Sequence, residues 1–221
     1  MKWFTEDAID FLAELELNND RSWFERNKKR YESSLKGPME AFAGELIERM
    51  RASDPGIVMT PKESVFRIYR DTRFSKDKSP YKTNAGLVVS AGDKKDRSSI
   101  GVYFHLDARR MGIASGVYMA EPDRIAAIRA HIAANLDEFA GLLEDPTFKE
   151  RFRAMTGEKN KIIPAELREA AAKQPLIYNK QFYYWAEHDA MEALREDLPE
   201  FVIAHAEAAR PMNRFLDRSI A

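Results

Sequence analysis

The sequence contains no cysteine among its 221 residues. That excludes disulfides, thiolate nucleophiles, zinc fingers and iron–sulfur clusters held by Cys. Long hydrophobic runs are also missing. No apolar stretch approaches the roughly 20 residues that a spanning helix needs, so no membrane partner is expected. Neither sign of charge is in surplus: 35 Lys and Arg stand against 36 Asp and Glu, a formal net charge of −1. Coating nucleic acid through phosphate contacts normally takes a basic excess, so any such binding is confined to a local patch. Catalytic motifs are scarce too. There is no Walker-type phosphate loop and no Gly-x-Gly-x-x-Gly after a strand. The four histidines, His105, His131, His188 and His205, form no His-Glu-x-x-His pair, and no metal site is expected. Gly112 to Gly116 puts its serine in the wrong place for a nucleophile elbow.

What is present is a globular composition, with 44% hydrophobic and 11% aromatic residues, in a chain long enough to bury a core. The first residues turn acidic at Glu6 and Asp7 where a signal peptide would be apolar, and a cytoplasmic location is expected. Thr5 followed by those acids reads as a helix start, with Ile9, Leu12 and Leu15 on one stripe. Asn18-Asn19-Asp20 breaks that helix and caps a second, in which Trp23, Asn27 and Tyr31 share a face. Gly37-Pro38 is expected to separate a third helix carrying Phe42, Leu46, Ile47 and Met50. Pro55-Gly56 and Pro61 mark a loop.

The period then changes to that of strands: Val65 to Phe74, Ala85 to Ala91, Ser99 to Asp107 and Met111 to Met119. Gly92 to Arg97 reads as a charged hairpin turn. Short polar connections imply an antiparallel meander. Pro122 opens a long helix with Ile125, Ile128, Ile132, Leu136, Phe139 and Leu143 in helical period. Pro146 and Pro164 start shorter helices, Leu176 to Trp185 reads as a further strand, Asp189 as a cap, and a last helix begins near Pro199. The expected fold is α+β, one domain over residues 1–221, with an antiparallel sheet from the middle of the chain packed against N-terminal and C-terminal helices.

Arg67 to Lys82 is unlike the rest. It holds six basic and two acidic residues. Read as a strand, it places Arg67, Tyr69, Asp71 and Arg73 on one face. Phe66, Ile68, Thr72 and Phe74 fall on the core face with Arg70, which must then be either a core ion pair or a group awaiting an anion. Aligning Ser99 to Asp107 with it puts Tyr103, His105 and Asp107 beside Arg67, Asp71 and Arg73, with His105 as a proton carrier. Ser75 to Thr83, broken by Pro80, reads as a loop. Its Lys76, Lys78 and Lys82 either wrap a phosphate, with Tyr81 stacking or bonding through its hydroxyl, or form a solvated loop neutralised by Asp71 and Asp77.

Arg67-x-x-Arg70-Asp71-x-Arg73-Phe74-Ser75-Lys76-Asp77-Lys78-x-Pro80-Tyr81-Lys82-Thr83 resembles the signature of a mainly bacterial family, domain of unknown function 2461. Leu17-Asn18-Asn19-x-Arg21-x-Trp23-Phe24-x-x-Asn27-Lys28-x-x-Tyr31, Tyr118-Met119-x-x-Pro122 and Ile128-Arg129 are similar to it as well. The resemblance spans nearly the whole chain, with one departure: a glycine run is expected before Tyr118, and Ala114-Ser115-Gly116-Val117 stands there. It supplies no activity or cofactor, but it favours reading the segment as a site, with Trp23, Asn27 and Tyr31 either forming one wall or packing on the sheet.

The site residues expected are therefore Arg67, Arg70, Asp71, Arg73, Lys76, Asp77, Lys78, Tyr81, Lys82 and His105. Their expected ligand is an anionic, phosphate-bearing small molecule. Nucleic acid ranks second, with Tyr69 and Tyr81 stacking on bases, and an acidic protein surface docked by the same basic loop is the third reading.

Overall fold

Glu6 and Asp7 put two carboxylates in the first turn of the first helix, against its dipole, while the Thr5 side chain makes no capping bond among the described residues. In a computed structural model, which describes residues 2–91 and 100–220, helix α1 spans Glu6–Leu17. Thr5 is extended at its N-cap, and Ile9, Phe11, Leu12 and Leu15 are buried. The expected turn over Gly92 to Arg97 and the strand start at Ser99 lie outside the described residues. Asp20 accepts the N–H of Trp23 at 2.9 Å and so caps α2, Arg21–Arg30.

The expected break at Gly37-Pro38 does not occur. Tyr31–Lys36 forms a wide π turn that runs directly into α3, Gly37–Arg51. A proline inside a helix lacks an N–H and crowds the carbonyl four residues back. The wider turn relieves this: the N–H of Gly37 bonds to the carbonyl of Glu32, five residues back, and the Ser34 hydroxyl takes the Arg30 carbonyl at 2.6 Å. Pro61 begins α4, Pro61–Ser64, behind a capping box between Thr60 and Glu63.

Strands β1 (Asn84–Ser90), β2 (Gly101–Asp107), β3 (Arg110–Val117), β4 (Met155–Thr156) and β5 (Phe182–Asp189) form one sheet in the order β1-β2-β3-β5-β4. β4 runs antiparallel to β5, with Met155 opposite Tyr184 and Thr156 opposite Tyr183. The fold is α+β, an antiparallel sheet from the middle of the chain with helices at both ends.

Val65 to Phe74 is not a regular strand. It makes two isolated antiparallel pairings, Val65 with Leu87 and Tyr69 with Tyr81. Four steps on one side, 65 to 69, face six on the other, 81 to 87, so the ladder cannot keep register. Leu176 to Trp185 is also shorter in strand than expected. Pro175–Tyr178 makes a 3₁₀ turn capped by Gln174, and β5 starts at Phe182.

The long helix after Pro122 is two: α5, Pro122–Ala134, and α6, Leu136–Glu144. Asn135 divides them because its side chain returns to the His131 carbonyl at 2.8 Å and competes with the helix ladder. α7 (Pro146–Phe152) is capped by Asp145, and α8 (Arg168–Lys173) follows a 3₁₀ turn after Pro164. Asp189 caps a 3₁₀ turn over Ala190–Leu194, and α9 runs Leu198–Asp217.

The chain divides into two compact units. One comprises Met1–Ala91, Tyr103–Ile113 and Glu187–Ile203; the other comprises Gly92–Val102, Ala114–Ala186 and Ala204–Ala221. The first is built on Phe4, Phe42 and Phe104, all fully buried. Phe4 stacks on Phe104 at 6.0 Å and Phe42 meets Phe104 edge-on at 5.1 Å. In the second, Tyr184 receives Phe148 and Phe152 edge-on, each at 4.9 Å, and its hydroxyl bonds to Asn213, which in turn donates to Ser115 at 2.9 Å. Where the expected glycine run departs from its pattern, Gly116 keeps a φ of 95°, and a Cβ there would lie 2.4 Å from the Phe182 carbonyl, so only glycine fits.

Phe104→Ala is expected to cost about 3–5 kcal/mol, the usual loss for emptying a buried aromatic position. Urea unfolding measures it; a loss below about 1 kcal/mol would mean that the three-ring cluster is not the core of its unit.

Candidate functional site

The Arg67–Lys82 segment belongs to the first unit, and its course is set by backbone bonds to the chain that follows. Phe66 N–H bonds to Gly86 carbonyl at 2.9 Å, Lys82 N–H to Ile68 carbonyl at 2.7 Å, and Arg70 N–H to Pro80 carbonyl at 2.9 Å. The α1–α2 turn holds the same segment from the other side. The Asn19 amide donates to the Tyr81 carbonyl at 3.0 Å and accepts the Tyr81 N–H at 3.1 Å. Tyr81, 3% exposed, stacks on Phe24 at 4.0 Å with the rings 17° apart. Its ring is thus already committed inside the protein.

These contacts leave a cleft of about 660 Å³, bordered on the helix side by Asn19, Asp20, Arg21 and Glu25, and on the segment side by Tyr69, Arg70, Thr72, Lys78, Pro80 and Tyr81. Of the ten residues expected in the site, Arg70, Lys78 and Tyr81 line this cleft. Arg70 has the partner that its partial burial demands, Asp77. Asp77 also accepts the Ser79 hydroxyl at 2.6 Å and its N–H at 2.9 Å. The Ser79 bonds, then Arg70, hold its carboxyl well below the usual carboxylate range. Lys78 donates to the Thr72 carbonyl at 2.9 Å and closes the loop.

The other expected residues are distributed elsewhere. Arg67 and Lys76 are exposed. Asp71 and Arg73 pair with each other at 2.7 Å, and that hydrogen bond brings the Asp71 carboxyl down to about 2. Lys82 lies 5.6 Å from the Phe66 ring centre. Phe74, expected on the core face, is 95% exposed, because the strand alternation that would have turned it inward is absent. Trp23 and Tyr31 pack against Phe11 at 5.6 and 5.8 Å, and Asn27 returns to the Trp23 carbonyl at 3.0 Å. They form part of an aromatic cluster in which burial pushes the Tyr31 hydroxyl up to about 12.

His105 stands in a row along β2. Its Nε2 lies 3.0 Å from Asp107, while Nδ1 faces the Asn84 amide at 3.3 Å and the Tyr103 hydroxyl at 3.4 Å. Where Tyr103 crosses β1, Gly86 makes room: a Cβ there would come within 2.7 Å of the hydroxyl. Burial alone would raise the Asp107 carboxyl, but hydrogen bonds from His105 and from the N–H groups of Arg109 and Arg110 outweigh it and hold the group below its ordinary value. Tyr103, His105 and Asp107 thus share one face of β2, while Asp71 and Arg73 satisfy each other.

A family model described as "Conserved hypothetical protein (DUF2461)" matches residues 7–215. The chain belongs to the DUF2461 family. None of the curated proteins matches it. In this DUF2461 protein the segment that carries the resemblance provides one side of the cleft, and the second similar stretch provides the other through Asn19 and Arg21. Sequence reasoning treated Asn19 and Asp20 as a helix break; their capping chemistry was legible, their place beside Arg70 was not. Thr72 and Glu25 gave no signal of their own.

A carboxyl whose folded value is lowered adds stability above its unfolded value, about 3.9 for Asp, and loses it as pH falls through the folded value. The stability gap between the wild type and Asp107→Asn is therefore expected to be full above about pH 4 and to shrink below it. Urea midpoints measured across that range test this; a pH-independent gap contradicts it.

Proposed function

We propose that the cleft between the start of α2 and the Tyr69–Tyr81 segment binds an anionic, phosphate-bearing small molecule. The observation that carries this is the convergence of Arg21, Arg70 and Lys78, from two separate stretches of chain, on one concavity of about 660 Å³. That volume suits a small molecule. A guanidinium has five donors in a planar fork, so Arg70 retains donors for a phosphate after meeting Asp77. Tyr69, 48% exposed beside it, offers a ring face to a base or a sugar. The reading is one of binding, and it assigns no reaction.

Nucleotides and sugar phosphates are the test, by thermal shift. At least one is expected to raise the midpoint, and Arg70→Ala with Lys78→Ala to weaken it by about 1.5–3 kcal/mol per charge-assisted bond lost. Failure of every phosphate compound to stabilise the wild type would sink the proposal.

A second reading, docking of a nucleic acid or protein through the Asp71–Lys78 loop, is favoured by Phe74. It is 95% exposed, with the Arg73 guanidinium 5.8 Å from its ring. An exposed aromatic beside cations suits base stacking. Fluorescence anisotropy with an oligothymidylate should show salt-sensitive binding that Phe74→Ala weakens by about 1–3 kcal/mol. Equal binding by Phe74→Ala would remove the ring from that role.

A further inference from the structure

We infer that the second compact unit holds an anion site of its own at Arg129. Its ligand would be a small oxyanion that also carries a hydroxyl, of the hydrogen-phosphate, bicarbonate or hydroxycarboxylate kind. Arg129 lies on α5 and is 8% exposed. One guanidinium nitrogen, Nη2, donates to the Asn179 carbonyl at 2.9 Å. Its Nε is buried with no hydrogen-bond partner among the described residues, and no carboxylate pairs with it there. Burial accordingly lowers its proton affinity with nothing to offset it. A guanidinium stays charged at any working pH, so it cannot escape this cost by deprotonating. A cation taken out of water with no counter-ion is destabilising.

The contrast with two other arginines of the unit lies in the counter-ion. Arg124, also part-buried, meets Asp217 at 3.1 Å, and the more exposed Arg218 meets Glu138. Arg129 alone among these three faces a carbonyl instead of a carboxylate. The second half of the ligand follows from Asn179. This residue is fully buried and spends its Nδ2 on the Thr156 carbonyl at 3.3 Å. Its Oδ1 has no partner among the described residues. An orphan donor and an orphan acceptor thus belong to two residues already joined by a hydrogen bond. Water on these atoms would leave the charge unmatched. An oxyanion with a hydroxyl answers all three: its anionic oxygen takes the Arg129 N–H, its charge offsets the guanidinium, and its O–H is given to Asn179.

The test uses the whole protein, with sodium chloride, sodium acetate, sodium glycolate and inorganic phosphate at matched ionic strength. Wild type is expected to gain about 3–6 °C in midpoint once glycolate or phosphate is near ten times its dissociation constant, and to gain less from acetate or chloride. Arg129→Met should lose that gain while being at least as stable as wild type in buffer without oxyanions. Arg70→Ala with Lys78→Ala should keep it, which separates this site from the cleft. Equal responses from wild type and Arg129→Met would overturn the inference, as would equal gains from all four salts. A chain that cannot fold with Met at 129 would also overturn it, by making Arg129 a structural donor to Asn179. An arginine Nε–H resonance should shift on adding phosphate in both wild type and the Arg70→Ala, Lys78→Ala variant; no shift counts against the site.

Discussion

The two-way pairing of the Asn19 amide with the backbone of Tyr81 ties the α1–α2 turn to the segment that carries Arg70 and Lys78. It substitutes for a strand partner where the chain makes only an isolated pairing. With its N–H and carbonyl both bound, Tyr81 is free to commit its ring to Phe24, and Phe24 in turn meets Phe11 and Tyr31. Buried backbone polar groups must be paired somewhere, and here a side chain from the α1–α2 turn does it. The cleft lies between that turn and the segment after Ile68, with Arg70 and Lys78 on its segment side.

Charge in the segment is matched locally and not pooled. Its six cations and two carboxylates leave a formal surplus of four, yet the carboxylates are spent on setting shape: Asp71 on Arg73, and Asp77 on Arg70 and the Ser79 turn. Such pairs at exposed positions contribute little to global stability. What they supply is preorganisation, because a guanidinium already fixed in one orientation loses less freedom on meeting an anion. The same residue type behaves differently in the second unit, where Arg129 meets a carbonyl and, among the described residues, no carboxylate.

Local rules made much of the fold legible. Asp20 before Trp23, Pro146 opening its helix and Asp189 before its turn are decisions taken within four residues, and each stands as read. The strands from Asn84 to Val117 were legible for the same reason, since alternation is local. Other expectations failed where a backbone or side-chain partner overrode the local pattern. Gly37-Pro38 looks like a break until the carbonyl of Glu32, five residues back, is counted. Pro122 to Leu143 looks like one helix until the Asn135 side chain is seen competing for the His131 carbonyl. Phe74 looks buried until the register between 65–69 and 81–87 is found to slip. In the site, Arg70's need for a partner could be argued from burial alone, but that the partner is Asp77 depends on a loop conformation that composition does not encode. Asn19 was visible as a cap residue, while its bond to Tyr81, sixty-two residues away, was not.

The wide turn at Tyr31–Lys36 has a consequence for how the first unit is phased. In an α-helix each residue advances the side chains by about 100°, so a single added residue would swing everything after it to another face. A π turn takes up such a residue within itself. Helices α2 and α3 are therefore one rod with two separately set azimuths. Phe24 on the first part can lie under Tyr81 while Phe42 on the second meets Phe4 and Phe104. The turn acts as a fixed angular offset between the cleft and the core, and the orientation of Asn19 and Arg21 at the head of the rod is geared to the aromatic packing at its far end.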